Sequence, residues 1–145
     1  MPDLGAPDPG LEVLPAPSLE WLSSKAALNG YAPRDAGIFA KVVARLERPS
    51  GFAALRQDGR MAAQAYGVLH DELLCVAAVV TDPRERGRGH ARRLLRGLFH
   101  WAAERGGMDV CIQVEAANAP AVALYRRLGV TTELYRYHYR RKSAG

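Results

Sequence analysis

Apolar residues in the first third of the chain recur at spacings of three and four, which predicts two helices. The first stripe consists of Leu19, Leu22 and Ala26. Ser18 is placed to cap the start of this helix, and Gly30 is placed to end it. The second stripe consists of Ile38, Phe39, Val42, Val43 and Leu46. We expect Asp35 to cap the second helix and Pro49–Gly51 to stop it, and we expect Leu11–Leu14 to form a short strand before both.

The middle of the chain changes to strand-like patterning. Phe52–Arg56 and Met61–Leu69 flank the pair Asp58-Gly59. An Asp-Gly pair between two such runs predicts a hairpin, because both central residues of a type I′ turn need positive φ. After a second turn, Leu73–Val80 is apolar without polar alternation, which is typical of a central strand buried on both faces.

A loop rich in glycine and arginine, Thr81–Gly89, separates that strand from an amphipathic helix. The apolar face of the helix consists of Ala91, Leu94, Leu95, Leu98 and Ala102. Val110–Val114 predicts another buried strand, and Asn118 and Gly129 are placed to begin and end a last helix. Residues 130–140 have strand composition. The order β-α-α-β-β-β-α-β-α-β, with one or two final strands, predicts an α/β domain with a mixed sheet.

Bulk properties restrict the class of protein. The chain has 145 residues, 48% of them apolar and 24% charged, which suits one globular domain. Residues 1–10 hold three prolines and two glycines and are expected to form a flexible arm, followed by a domain over 11–142. No apolar run approaches the ~20 residues of a membrane span, and the start does not resemble a secretory signal, so we expect a cytoplasmic protein without membrane partners. Cys75 and Cys111 lie in apolar segments, are expected to be buried and reduced, and do not have metal-ligand spacing.

The loop before the amphipathic helix carries the candidate chemistry. The first amides of a helix lack intrahelical partners, and the helix dipole adds positive potential there, so this arrangement is suited to phosphates. Gly87 and Gly89 allow close approach of a ligand to the backbone, and the formal charge of +5 favours an anionic one. Nearby charge comes from Arg86, Arg88, Arg92 and Arg93. The alternative is a capped helix with merely solvated arginines. Neither a P-loop nor a dinucleotide fingerprint is present.

Two segments resemble the hallmarks of the GNAT superfamily of acetyltransferases. Arg86-x-x-Gly89-x-Ala91 matches its motif A, Arg/Gln-x-x-Gly-x-Gly/Ala, and an offset match begins at Arg84. The preferred register places Asp82-Pro83 where the family often has a residue before proline. The second segment, Asn118-x-x-Ala-x-x-Leu-Tyr125-x-x-x-Gly129, is similar to the family's other hallmark. The resemblance covers residues 11 to 141 and implies one domain with a mixed, mostly antiparallel sheet flanked by helices.

The resemblance also implies an acetyl-CoA-dependent N-acetyltransferase with no metal, in which a neutral amine attacks the thioester directly. The strand end whose backbone would pair with the pantetheine arm is Val79, Val80 and Thr81. The residues expected to hold the CoA diphosphate are Arg86, Gly87, Arg88, Gly89, His90, Ala91 and Arg92. Asn118 would contact the pantetheine or acetyl region, and Tyr125 would protonate the departing thiolate.

The chain also departs from the family pattern. Many members carry a carboxylate on the strand before motif A, and Leu73–Val80 has none. Glu115 is our first candidate for the general base, with His70, Asp71, Glu72 or a water chain as alternatives. The acceptor, a small-molecule or peptide amine, is left open.

Three further points stay as hypotheses. The domain could be a degenerate GNAT that binds acyl-CoA without turnover. It could instead be a basic RNA- or ribosome-associated module, although its basic residues are spread along the chain, which makes a nucleic-acid partner the weaker prediction. Because the chain resembles the C-terminal half of tandem bacterial GNAT proteins, we expect a homodimer, with the aromatic segment Tyr135–Arg140 at a sheet edge.

Overall fold

The computed structural model describes residues 8–30, 32–112 and 119–128. The elements, in chain order, are β1 (Leu11–Leu14), α1 (Leu19–Asn29), α2 (Pro33–Ala44), β2 (Ser50–Gln57), β3 (Arg60–His70), β4 (Leu73–Thr81), a 3₁₀ turn (Pro83–Glu85), α3 (His90–Ala103), β5 (Asp109–Ile112) and α4 (Ala119–Arg127). This order confirms the predicted α/β domain. The predicted final strand lies outside the described residues. None of the described helices is both long and apolar enough to cross a membrane.

The described strands form a single sheet in the order β1-β2-β3-β4-β5. The first three pairings are antiparallel, and β4 pairs with β5 in parallel. Asp58 and Gly59 have φ of 53° and 77°, which confirms the hairpin turn between β2 and β3. β4 is central, as predicted, but only the face with Leu74 and Val76 is fully buried, while Cys75 on the opposite face is half-buried.

One face of the sheet packs against α3 and α4. β2 and β3 contribute Ala53, Leu55, Ala63 and Ala65 to this core; Leu94, Leu95, Leu98 and Phe99 come from α3, and Tyr125 from α4. Gly97 allows α3 to approach β1 closely, because a Cβ built there would lie 1.5 Å from a methyl carbon of Leu11. This layer fixes the position of α3, and therefore of the loop before it, relative to the sheet.

The opposite face packs against α1 and α2 around Trp21. The indole of Trp21 is 1% exposed and donates a 3.0 Å hydrogen bond to the carbonyl of Ala53. Ser18 caps α1 and Gly30 ends it, as predicted. The predicted apolar stripe of α1 is correct at Leu22, which packs against this core, but wrong at Leu19, which is 84% exposed. The fully buried positions of α1 are Trp21 and Lys25.

Three other expectations also need correction. Asp35 does not cap α2, since the helix begins two residues earlier at Pro33, which suits a first helical position because it has no N–H to satisfy. Pro49–Gly51 does not stop it either, because α2 ends at Ala44 and Ser50 already belongs to β2. Cys75 and Cys111 are free thiols in register on β4 and β5, and both are half-buried rather than buried.

Candidate functional site

The loop between β4 and α3 is held in shape by its own side chains and by two glycines. Asp82 caps the 3₁₀ turn by accepting a 3.0 Å hydrogen bond from the amide of Arg84. Gly87 and Gly89 follow with φ of 78° and 76°, the left-handed region that other residues rarely adopt. These two glycines thus set the path of the backbone just before the first helical residue, His90.

The start of α3 presents unsatisfied backbone donors. Within the described part of the chain, no backbone or side-chain oxygen accepts from the amides of His90, Ala91 or Arg92; the first helical bond is Arg93 N–H to the carbonyl of Gly89, at 3.2 Å. The first turn contains no acidic residue. A Cβ built on Gly89 meets nothing within 4 Å, so open space lies beside these amides. Free amides and the dipole of a 14-residue helix together favour an anion at this position.

Carboxylates of the loop form ion pairs with some of its arginines and so neutralise part of its positive charge. Asp82 accepts a 2.9 Å bond from the guanidinium of Arg84, which lowers the pKa of Asp82 to about 2. Glu85 is 7% exposed and accepts a 2.8 Å bond from Arg88.

Glu85 has further partners, and one arginine of α3 is paired as well. The Nε2 of His90 lies 3.3 Å from Glu85, and Arg60 of β3 lies 3.9 Å away. Arg93 is paired with Asp8. Among the described residues, no carboxylate lies within 4 Å of Arg86 or Arg92. Those two guanidiniums therefore remain to meet an anion at the helix start.

In the part of the chain that the structure describes, the pairing of β4 with β5 ends well before the loop. Pairing of β4 with β5 runs from Leu73↔Asp109 to Val76↔Ile112, and no described residue pairs with β4 on that side beyond Val76. On its other side, β4 carries one extra residue opposite Ala65, a β-bulge between the pairs Tyr66↔Ala77 and Gln64↔Val80. Val79, Val80 and Thr81, the predicted backbone positions, are half-buried; Val79 lies in this bulge, and Val80 and Thr81 follow it. Backbone polar groups that no neighbouring strand uses suit an extended ligand that adds to the sheet.

Tyr125 lies on α4 and is part of the apolar core on the α3 side of the sheet. It is 8% exposed and belongs to the same apolar cluster as Leu94, and Val79 packs against that cluster. Burial raises the pKa of the Tyr125 phenol above its ordinary value, so it stays protonated near neutral pH. The position agrees with the predicted proton donor and equally with a packed aromatic residue.

Other predicted site residues are distributed differently. Glu115 and Asn118 lie outside the described residues, so their roles stay predictions. His70 ends β3, and Asp71 and Glu72 form the turn before β4, seven or more residues from Val79. At about 3.3 Å per residue this is roughly 20 Å along the strand, too far for any of the three to act as a direct base there.

Sequence reasoning missed two features of the site. The bulge of β4 left no signal, because it falls within the uniformly apolar run Val76–Val80. The buried carboxylate of Glu85 did leave one: it is the only acidic residue between Pro83 and Leu94. A single carboxylate among arginines indicates a residue that orders the loop, since a buried charge requires partners.

Comparison with known proteins agrees with this geometry. Residues 15–130 match the Acetyltransferase (GNAT) family. The chain is 25% identical over 126 residues to the uncharacterized N-acetyltransferase YobR of Bacillus subtilis, covering 87% of this chain and 51% of YobR. It is 33% identical over 85 residues to the [ribosomal protein bS18]-alanine N-acetyltransferase of Escherichia coli, covering 59% of this chain and 57% of that protein. The chain thus spans about half the length of these curated relatives.

A solved structure gives the same result. A putative acetyltransferase from the GNAT family of Novosphingobium aromaticivorans superposes with a TM-score of 0.61 at 30% identity, covering 84% of this chain and 51% of that one. Residues 15–130, which match the family, include β4, the glycine loop and α3, the elements that build the candidate anion site. The chain therefore belongs to the GNAT acetyltransferase family.

Proposed function

We propose that this domain is an N-acetyltransferase that moves the acetyl group of acetyl-CoA to a primary amine. The observation that carries the proposal is the continuity of two binding features along one stretch of chain. Among the described residues, Val79–Thr81 has no strand partner on the β5 side, and the loop that follows ends at the amides of His90, Ala91 and Arg92, for which the described residues supply no acceptor. A ligand with a peptide-like arm ending in a diphosphate fits this sequence of features, and CoA is such a molecule.

The residues of this chain divide the binding between them. The amides at the start of α3, with Arg86 and Arg92, are suited to the diphosphate. The backbone of Val79–Thr81 is suited to the amides of the pantetheine arm. Asn118 is our candidate for a further contact in the pantetheine or acetyl region. No step assigned here needs a metal ion.

The transfer requires two proton movements besides the bond exchange. The amine nitrogen forms a bond to the acetyl carbon, the carbon–sulfur bond breaks, and the thiolate leaves. We assign the proton that the sulfur gains to the Tyr125 hydroxyl, whose burial keeps it protonated. The proton that the amine loses needs a base. Since β4 has no carboxylate, Glu115 or a water chain takes this role in the proposal.

A binding experiment and a turnover experiment test the proposal. Acetyl-CoA should bind by calorimetry and raise the melting temperature, because ligand at about 100-fold excess over Kd adds about 2.7 kcal/mol of stability. Release of free CoA thiol should then be measured with a panel of amines: amino acids, polyamines, amine antibiotics and peptides with a free N-terminus. A peptide beginning with alanine belongs in the panel because of the Escherichia coli relative. Absence of binding at millimolar acetyl-CoA would overturn the proposal.

A second candidate function is an acyl-CoA-binding domain without turnover. One observation favours it: among the residues the structure describes, no carboxylate lies on β4 near the strand end. The same assays separate the two functions, since this candidate binds acetyl-CoA tightly and releases no thiol with any amine. Binding of RNA without binding of acetyl-CoA would instead support the nucleic-acid module.

A further inference from the structure

Asp8 forms an ion pair with Arg93 of α3, a residue far from it in the sequence. Its two carboxylate oxygens accept from Nε and Nη2 of Arg93 at 2.6 and 3.0 Å, although the residues are 85 positions apart in sequence. This two-point geometry fixes the orientation of the guanidinium plane. The hydrogen bonds from Arg93 hold the pKa of Asp8 below its ordinary value, so the carboxylate stays charged near neutral pH.

The segment around Asp8 is built for this contact. The amide of Gly10 donates a 2.9 Å bond to Oδ1 of Asp8, which closes a small turn. A Cβ built on Gly10 would lie 2.9 Å from Nη2 of Arg93, so a side chain there would push against the guanidinium. One residue later, Leu11 sits against Gly97, one helical turn beyond Arg93. Residues 8–11 therefore lie along α3, with Asp8 at the end nearer the helix N-terminus.

The ion pair lies close to the candidate phosphate site. Arg93 is three residues past His90, about 4.5 Å further along the helix axis, and its own amide closes the first helical turn on Gly89. The α-carbon of Arg93 thus lies at the end of the first turn, the part of a helix whose N-terminus acts on anions. A carboxylate on Arg93 removes one positive charge from that region.

We infer that Asp8 and Arg93 together set the affinity of this domain for its anionic cofactor, Arg93 strengthening it and Asp8 weakening it. The inference rests on the proposed acetyl-CoA function. A role of this ion pair in setting affinity differs from a purely structural role in one measurable way. Asp8→Asn and Arg93→Gln both break the same ion pair, so a structural contact would shift cofactor affinity in the same direction in both variants. A charge-setting pair shifts the affinity in opposite directions.

The test is calorimetry of acetyl-CoA with the full chain at low salt. Asp8→Asn should lower Kd and Arg93→Gln should raise it, each by roughly two- to fivefold, the usual effect of one charge near a helix end. Both shifts should shrink at 0.5 M salt, where screening is strong. Glu20→Gln is the matched control: it removes the same charge and also breaks a two-point ion pair, with Arg56, but on α1 at the opposite face of the sheet. Its Kd should equal that of the wild type.

Each outcome has one meaning. Shifts of Asp8→Asn and Arg93→Gln in the same direction, or no shift in either, would overturn the inference, as would an equal shift in Glu20→Gln. Melting curves confirm that each variant is folded, which we expect because the ion pair is partly exposed, at 27% for Asp8 and 41% for Arg93. If the wild type fails to bind acetyl-CoA, it is the proposed function that fails. If the wild type binds and the variants do not diverge, only the role of the pair fails.

Discussion

Replacing Gly89 with alanine separates the two consequences of placing a side chain in the glycine loop. Gly89 has φ of 76°, and a Cβ built on it touches nothing within 4 Å. The variant therefore creates no clash in the free protein and costs only backbone strain, about 1–2 kcal/mol for an L-residue in this region. For a domain of this size, we expect the melting temperature to fall by a few degrees.

The Gly89→Ala substitution should weaken binding of acetyl-CoA far more than it lowers the stability of the fold. The new methyl group would stand in the open space beside the amides of His90, Ala91 and Arg92. A hydrogen bond to a charged group contributes about 1.5–3 kcal/mol, so losing one of these raises the Kd for acetyl-CoA by about 10- to 150-fold.

Gly59 provides a matched control for this measurement. It lies in the hairpin turn with φ of 77°, and a Cβ built there also meets nothing within 4 Å. Gly59→Ala should therefore lose the same stability and keep the wild-type Kd. Both variants are measured by thermal denaturation and by calorimetry with acetyl-CoA. If Gly89→Ala bound the cofactor as tightly as Gly59→Ala, the amides at the start of α3 would not be the phosphate site.

Four other predictions concern three single residues and the oligomeric state. Tyr125→Phe should lower kcat by about 10²–10⁴-fold with KM for acetyl-CoA little changed in steady-state kinetics; an unchanged kcat, with chemistry rate-limiting, would make Tyr125 a packing residue. Asp82 has a folded-state pKa of about 2, below its unfolded value, so its contribution to stability is complete above roughly pH 4 and is lost as the pH falls towards 2. In acid titrations Asp82→Asn should reduce the loss over that interval, and an unchanged profile would contradict the assignment. Trp21→Phe leaves the bond to Ala53 unmade and should cost about 2–3 kcal/mol in urea unfolding. Sedimentation should show a homodimer, and a clean monomer at high micromolar concentration would argue against it.

Local signals in the sequence were sufficient where one or two residues determine the geometry. The turn at Asp58-Gly59 and the end of α1 at Gly30 follow from positive φ, which few residues adopt, and the start of α1 follows from the Ser18 side chain, which accepts from the amide of Trp21. The loop before α3 belongs to the same class, because two glycines at positive φ fix its path. These features need no information about the rest of the fold.

Predictions of which helix face is buried failed where tertiary contacts decide. In α2 the predicted stripe is wider than the buried one, since Ile38 and Val42 are about half exposed while Val43 is buried. In α1 the size of Trp21 and its hydrogen bond to Ala53 outweigh the aliphatic spacing that starts at Leu19. Periodicity shows that a helix is amphipathic, but several apolar residues compete for the same contact with the sheet.

The candidate site was predictable to a similar extent. Glycine spacing indicates where free amides lie, because it acts through the local backbone. The pairing of charges depends on residues that folding brings together, such as Asp8 and Arg93, and the bulge of β4 depends on its register with β3. Neither has a local signature in the sequence.

The distribution of charge around the loop bears on how the site would recognise a polyphosphate. Three of its arginines are already paired with carboxylates: Arg84 with Asp82, Arg88 with Glu85 and Arg93 with Asp8. These pairs order the loop and reduce its net positive charge, so they limit non-specific attraction to other polyanions. What remains at the helix start is a set of backbone amides, with Arg86 and Arg92 nearby, and the amides are directional and cannot be displaced as a mobile side chain can. In the proposed function, selectivity for a diphosphate over nucleic acid follows from the geometry of the amides rather than from the total charge of +5, which the sequence alone would also assign to a nucleic-acid-binding protein.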